Sequence, residues 1–207
     1  MRINRRALVA GGAGALGVAL LAGRIFAGTS ATARAADPGS PMFDTLRAGG
    51  PRIVKGEDPQ ARLFDRFAGA WDIEYCNIHD DGTRENTRGQ LLVGWVLDGR
   101  ALQDLWIEFP SAGGDRFMGT TLRFYDDERK TWRVTWVSPM QQAVTLLEGG
   151  DENGSIVLLA QTPRGRLRWT FSDITDQDFR WHGERSRDDG KTWQLREDHR
   201  MRRVSRA

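Results

Sequence analysis

The chain has 207 residues, 30 basic and 28 acidic side chains, a net charge of +2 and a single cysteine. That length suits one ordinary domain with a short appendage. One cysteine, Cys76, excludes an internal disulfide, so the fold rests on its core, and the near balance of charge gives no ground for a nucleic-acid or anionic-membrane surface.

Met1-Arg2-Ile3-Asn4-Arg5-Arg6 is basic, Ala7 to Gly23 is uncharged and rich in Ala and Gly, and Ala33-Arg34-Ala35 is a small-x-small cleavage pattern. The apolar run is short and mild beside the ~20 strongly apolar residues of a membrane span. Arg5-Arg6-Ala7-Leu8-Val9 resembles a twin-arginine export signal. The resemblance implies the twin-arginine machinery as a partner and transfer of an already folded protein. Residues 1–35 are expected to be removed, leaving a soluble protein without a membrane anchor, in the periplasm or outside the cell. They hold five arginines and no acid, so the remainder carries 25 basic and 28 acidic residues, a net of −3.

Residues 36–60 carry Pro38, Pro41, Pro51 and Pro59 among several glycines and read as a flexible linker. Leu63, Phe64 and Phe67 recur at helical spacing, which predicts a short helix before Gly69. From Trp71 the pattern turns to β. Runs rich in Val, Thr, Trp and Phe predict strands at 71–78, 87–97, 101–109, 117–125, 131–138, 143–148, 155–161, 167–172, 179–187 and 192–202. Asp98-Gly99, Asn153-Gly154 and Asp189-Gly190 supply the left-handed backbone of tight hairpins. Trp132, Val134 and Trp136 alternate with Arg133 and Thr135, and Trp71, Ile73 and Tyr75 with Asp72 and Glu74, as half-buried strands do. About ten sequential antiparallel strands favour an all-β, closed up-and-down barrel over 61–204, because closure removes exposed edges.

Gly69-Ala70-Trp71 is similar to the Gly-x-Trp signature of lipocalins and related calycin barrels. Together with the runs from Trp95 to Leu102 and from Ser186 to Trp193, it resembles a bacterial family of uncharacterised lipocalin-like proteins. The resemblance implies a cavity for a small apolar or amphipathic ligand and brings no catalytic residues, cofactor or metal with it. Tyr75, Trp106, Trp136 and Trp169 are the aromatic residues expected to line that cavity. Asp104 shares a face with Trp106, and Arg123 suits a carboxylate ligand if buried.

The last hairpin holds the best chemical candidates. A turn centred on Asp189-Gly190 sets His182 opposite Glu197 and Arg180 opposite His199. His182, Glu184, Glu197 and His199 then share one face, where they can contact a ligand, pair across strands or hold a cation. If the protein is an enzyme, an isomerase, cyclase or hydrolase, His182 and Glu197 are its acid–base pair. A one-residue bulge would part them. A third reading is a filled barrel that acts through its surface. Ser186-x-Asp188-x-Gly190-x-Thr192-Trp193 matches an Asp-box, read here as a staple within the turn. Nucleotide, serine-hydrolase and zinc-protease motifs are absent from the sequence.

Overall fold

The computed structural model describes residues 58–110 and 114–204. The export segment and most of the proline-rich stretch lie outside the described residues. Ten strands follow one another: β1 (Gly69–Ile78), β2 (Arg84–Val96), β3 (Ala101–Phe109), β4 (Phe117–Asp126), β5 (Thr131–Ser138), β6 (Ala143–Glu152), β7 (Ser155–Thr162), β8 (Gly165–Ser172), β9 (Asp178–Ser186) and β10 (Gln194–Arg203). Each pairs antiparallel with the next, and β10 returns to β1, so the sheet is a closed barrel. The all-β, up-and-down architecture expected from the strand spacing is the one observed. Asn153 and Gly154 form the two-residue loop between β6 and β7, with φ of 55° and 86°, the left-handed pair that such a hairpin requires.

The segment before β1 closes one end of the barrel. The single helix expected there is two short 3-10 turns, Pro59–Arg62 and Asp65–Phe67. Nine residues, Pro59 to Phe67, are too few for an α-helix to hold on propensity, and the break at Phe64 lets Phe64 and Phe67 both enter the barrel. Phe64 packs edge-on against Trp132 at 4.8 Å, and Phe67 against Phe179 at 4.7 Å. Asp58, Pro59 and Gln60, the end of the stretch read as linker, are seated on the barrel. The Tyr125 hydroxyl donates to Asp58 at 2.7 Å, and the Trp132 indole N–H donates to the Gln60 carbonyl at 2.8 Å.

Above this aromatic floor lies a buried ion pair. Asp104 accepts from the Thr121 N–H at 2.8 Å and from its hydroxyl at 2.7 Å, and pairs directly with Arg123. The Arg123 guanidinium lies 4.7 Å from the Phe64 ring centroid. Burial pulls its pKa down to about 9. Arg123 also donates to the Thr121 hydroxyl, while its buried Nε has no hydrogen-bond partner within the described protein and faces the aromatic floor.

A candidate ligand cavity

Along β3 the inward side chains are Leu102, Asp104, Trp106 and Glu108 in order from the closed end. Leu102 and Asp104 are packed, whereas Trp106 and Glu108 line a cavity of about 760 Å³ in the other half of the barrel. Tyr75, Trp136, Trp169, Trp181, Glu197 and His199 also line it. Asp104 and Arg123, expected at the ligand, are instead committed to each other below the cavity.

The rings form a continuous wall. Trp136 meets Trp169 at 5.8 Å, Trp169 meets Trp181 at 5.5 Å, and Trp181 meets Trp106 at 5.4 Å. Glycines seat them. A Cβ at Gly119 would fall within the Trp136 ring, one at Gly89 against the Tyr75 ring and the Ile107 carbonyl, and one at Gly183 on the Glu197 carboxyl and the Trp181 ring. Here a missing side chain on one strand makes room for a large one on the next.

Beside Trp106 and Trp181 the lining turns polar. Glu108 accepts from the Asn77 amide at 2.9 Å and from the Thr87 hydroxyl. His199 stacks on Trp181 at 5.0 Å, meets Tyr75 at 4.6 Å, and accepts at Nδ1 from the Cys76 N–H at 3.3 Å. Burial holds its pKa down at about 3, so the ring is neutral with its proton on Nε2. Burial, and then the Glu108 carboxylate, push the Glu197 carboxyl up to about 7. Burial also raises Tyr75, whose hydroxyl stays protonated. The Tyr75 hydroxyl and the indole N–H groups of Trp106 and Trp181 have no hydrogen-bond partner within the described protein.

The expected register of the last hairpin holds for two pairs only, Gln194 with Arg185 and Leu195 with Glu184. A bulge between Leu195 and Glu197 absorbs Arg196, and beyond it Glu197 faces Gly183, Asp198 faces His182, and His199 faces Trp181. The alternation of buried Phe179 and Trp181 fixes the phase of β9, and the bulge lets β10 match it. Glu197 and His199 therefore point inward. His182 stands on the other face, and the pairing of His182 with Glu197 is corrected; Glu184 shares that face by alternation but still contributes to the lining of the cavity. His182 Nε2 lies 3.4 Å from Asp198, which takes a two-pronged contact from Arg180 at 2.8 and 2.7 Å. Glu184 is held in the same way by Arg168 at 2.6 and 2.8 Å. The acid–base couple and the four-residue cation face both depended on the unbulged register.

The Asp-box turn is a staple. Asp188 accepts from the Thr192 N–H at 2.9 Å, the Thr192 hydroxyl at 2.7 Å and the Ser186 hydroxyl at 2.8 Å.

Known structures share this architecture. An S-type phycobiliprotein lyase, CpeS, from Guillardia theta superposes with a TM-score of 0.51 at 13% identity, over 74% of this chain and all of that one. Rv2717c from M. tuberculosis superposes with a TM-score of 0.54 at 11% identity, over 72% of this chain and all of that one. The fold is lipocalin-like. At such identities the likeness carries the fold and not the activity. No family model matches the chain, and no curated protein does.

Within the lipocalin-like barrel, strand alternation located Tyr75, Trp106, Trp136 and Trp169 on the inner face. Sequence reading left Trp181 out, although its spacing from Phe179 marks it, and gave no part to Gly89, Gly119 or Gly183. Asn77, at the end of β1, carried no signal of its own.

Proposed function

We propose that this protein is an exported carrier or receptor for a small, partly apolar molecule held in the barrel cavity. The supporting observation is a cavity of about 760 Å³ lined by four tryptophans together with a polar group of Tyr75, Asn77, Glu108, Glu197 and His199. Sites for small molecules combine apolar surface with a few convergent polar groups in this way. A barrel filled by its own side chains would lack that space. The likeness to a phycobiliprotein lyase fits a ligand-handling barrel.

The test is titration with 1-anilinonaphthalene-8-sulfonate, read by quenching of the cavity tryptophans. Saturable one-to-one binding that Trp169→Ala weakens supports the reading. Absence of binding, together with a bare polypeptide mass in native mass spectrometry of the exported protein, overturns it. Export through the twin-arginine route is tested by cell fractionation. Replacing Arg5 and Arg6 with Lys retains the protein in the cytoplasm if the proposal holds.

A further inference from the structure

The barrel is closed, but its wall is split. Pairing between β6 and β7 runs from Glu152–Ser155 to Glu148–Leu159 and stops. Both strands continue beyond that point, β6 back to Ala143 and β7 on to Thr162. Extended by the same register, Leu147 would meet Ala160 and Leu146 would meet Gln161, yet these pairs do not form. The split is not fraying. Over this stretch β6 stays paired to β5 as far as Ala143, and β7 stays paired to β8 as far as Thr162.

The split opens into the cavity, since Thr145 and Leu146 on one lip and Gln161 and Thr162 on the other are among its lining residues. The outer lip is apolar: Val144 is 70% exposed and Leu146 65%. Inward of it stand Leu167, Trp169 and Trp136. A path that is apolar along its β6 lip and polar at Thr145, Gln161 and Thr162 therefore leads from solvent to the tryptophans. In the closed strand order the split lies across the barrel from β1 and β2; β1 carries Asn77, and β10 beside it carries Glu197 and His199.

Resting on the ligand-binding reading above, we infer that the β6–β7 split is a slot for the alkyl chain of a single-chain amphiphile, whose hydrogen-bond-donating head lies against Glu197 across the barrel. The head follows from the groups present. Glu108 is already served by Asn77 and Thr87, whereas Glu197 lies over Gly183 with no hydrogen bond among the influences on its carboxyl. Of the two cations beside it, Arg196 is bound to Asp80 at 2.6 Å. Arg185, whose Nε has no hydrogen-bond partner within the described protein, acts on Glu197 through charge alone, so one positive charge stands against the two carboxylates of Glu108 and Glu197. An ammonium head matches that site, and a carboxylate head meets like charge.

Calorimetric titration of the full chain with primary alkylamines from hexyl to dodecyl, and with the matching alkanoates, tests this, each below its micellar concentration. The amines should tighten by about fourfold per methylene across the series, and decylamine should bind about tenfold tighter than decanoate. Glu197→Gln should erase the head preference and keep the chain-length slope. Thr145→Trp, which fills the slot from the inner lip, should flatten the slope for long chains, so that dodecylamine gains little over octylamine; Thr145→Leu replaces it if circular dichroism shows the Trp variant unfolded. Decanoate binding as tightly as decylamine, or a slope that the plug does not alter, overturns the inference. If 1-anilinonaphthalene-8-sulfonate binds while no amphiphile does, this inference alone fails; if neither binds, the ligand-binding reading fails with it.

Discussion

Replacing Glu197 with Gln removes a pH dependence that the wild-type barrel carries. In the folded protein the carboxyl titrates at about 7 instead of 4.5. Below 4.5 it is protonated in both the folded and the unfolded chain and contributes nothing to the balance. Between 4.5 and 7 the unfolded chain releases a proton that the folded chain keeps, so stability falls as pH rises. At 1.36 kcal/mol per pKa unit the loss is at most ~3 kcal/mol above pH 7, and less in so far as cavity water reaches the carboxyl. His199 works in the opposite sense: its folded pKa of about 3 lies below the ordinary 6.5, so it costs stability as pH falls from 6.5 toward 3. Both proteins carry His199, so subtraction removes it. Urea unfolding followed by tryptophan fluorescence at pH 4 to 8 gives the two curves. The variant should gain on wild type progressively between pH 4.5 and 7. Parallel curves would mean that Glu197 is not held in a desolvated setting, and the cavity geometry drawn around it would be wrong.

Three further outcomes follow from packing and charge. Asp104→Asn leaves the Arg123 guanidinium buried beside a neutral amide and should cost about 3–5 kcal/mol in urea unfolding, while Asp104→Leu with Arg123→Met should recover most of it. Gly119→Ala drives a methyl group into the Trp136 ring; calorimetry should show a loss of about 1–3 kcal/mol, and the Trp136 emission should change. Asp188→Ala removes the acceptor of the last turn. Hydrogen bonds from Thr192 and Ser186 lower the Asp188 carboxyl to about 2, so the fall in Tm should be full above pH 3.8 and should shrink as pH drops toward 2.

The barrel was legible because its evidence is local. Trp132, Val134 and Trp136 show their face by alternation, and Asn153-Gly154 shows its turn by residue type. The inner positions of Tyr75, Trp106, Trp136 and Trp169 follow from the same alternation. The relation between β9 and β10 was not legible, because Arg196 is an ordinary residue in an ordinary strand run, and nothing in its type marks it as the one left unpaired. That single residue puts His182 and Glu197, expected on one face, on opposite faces. Asp104 and Arg123 were correctly read as inward-facing, but their height in the barrel, below the cavity and above Phe64, is a three-dimensional fact. The glycines that seat Trp136, Tyr75 and Trp181 lie on other strands from those rings, or two residues away, and a linear reading has no measure of that distance.

The return of β10 to β1 has a consequence for how the protein is made. Every other neighbouring pair of strands is joined by a short loop and can zip as it leaves the ribosome. The final seam joins Trp71 to Arg203 and Ile73 to Met201, and Arg203 also lays its guanidinium 4.0 Å over the Trp71 ring. Nothing can complete that seam until synthesis has passed Arg203. A chain cut within β10 lacks that seam and leaves β1 as an unpaired edge, the kind of edge through which sheets associate.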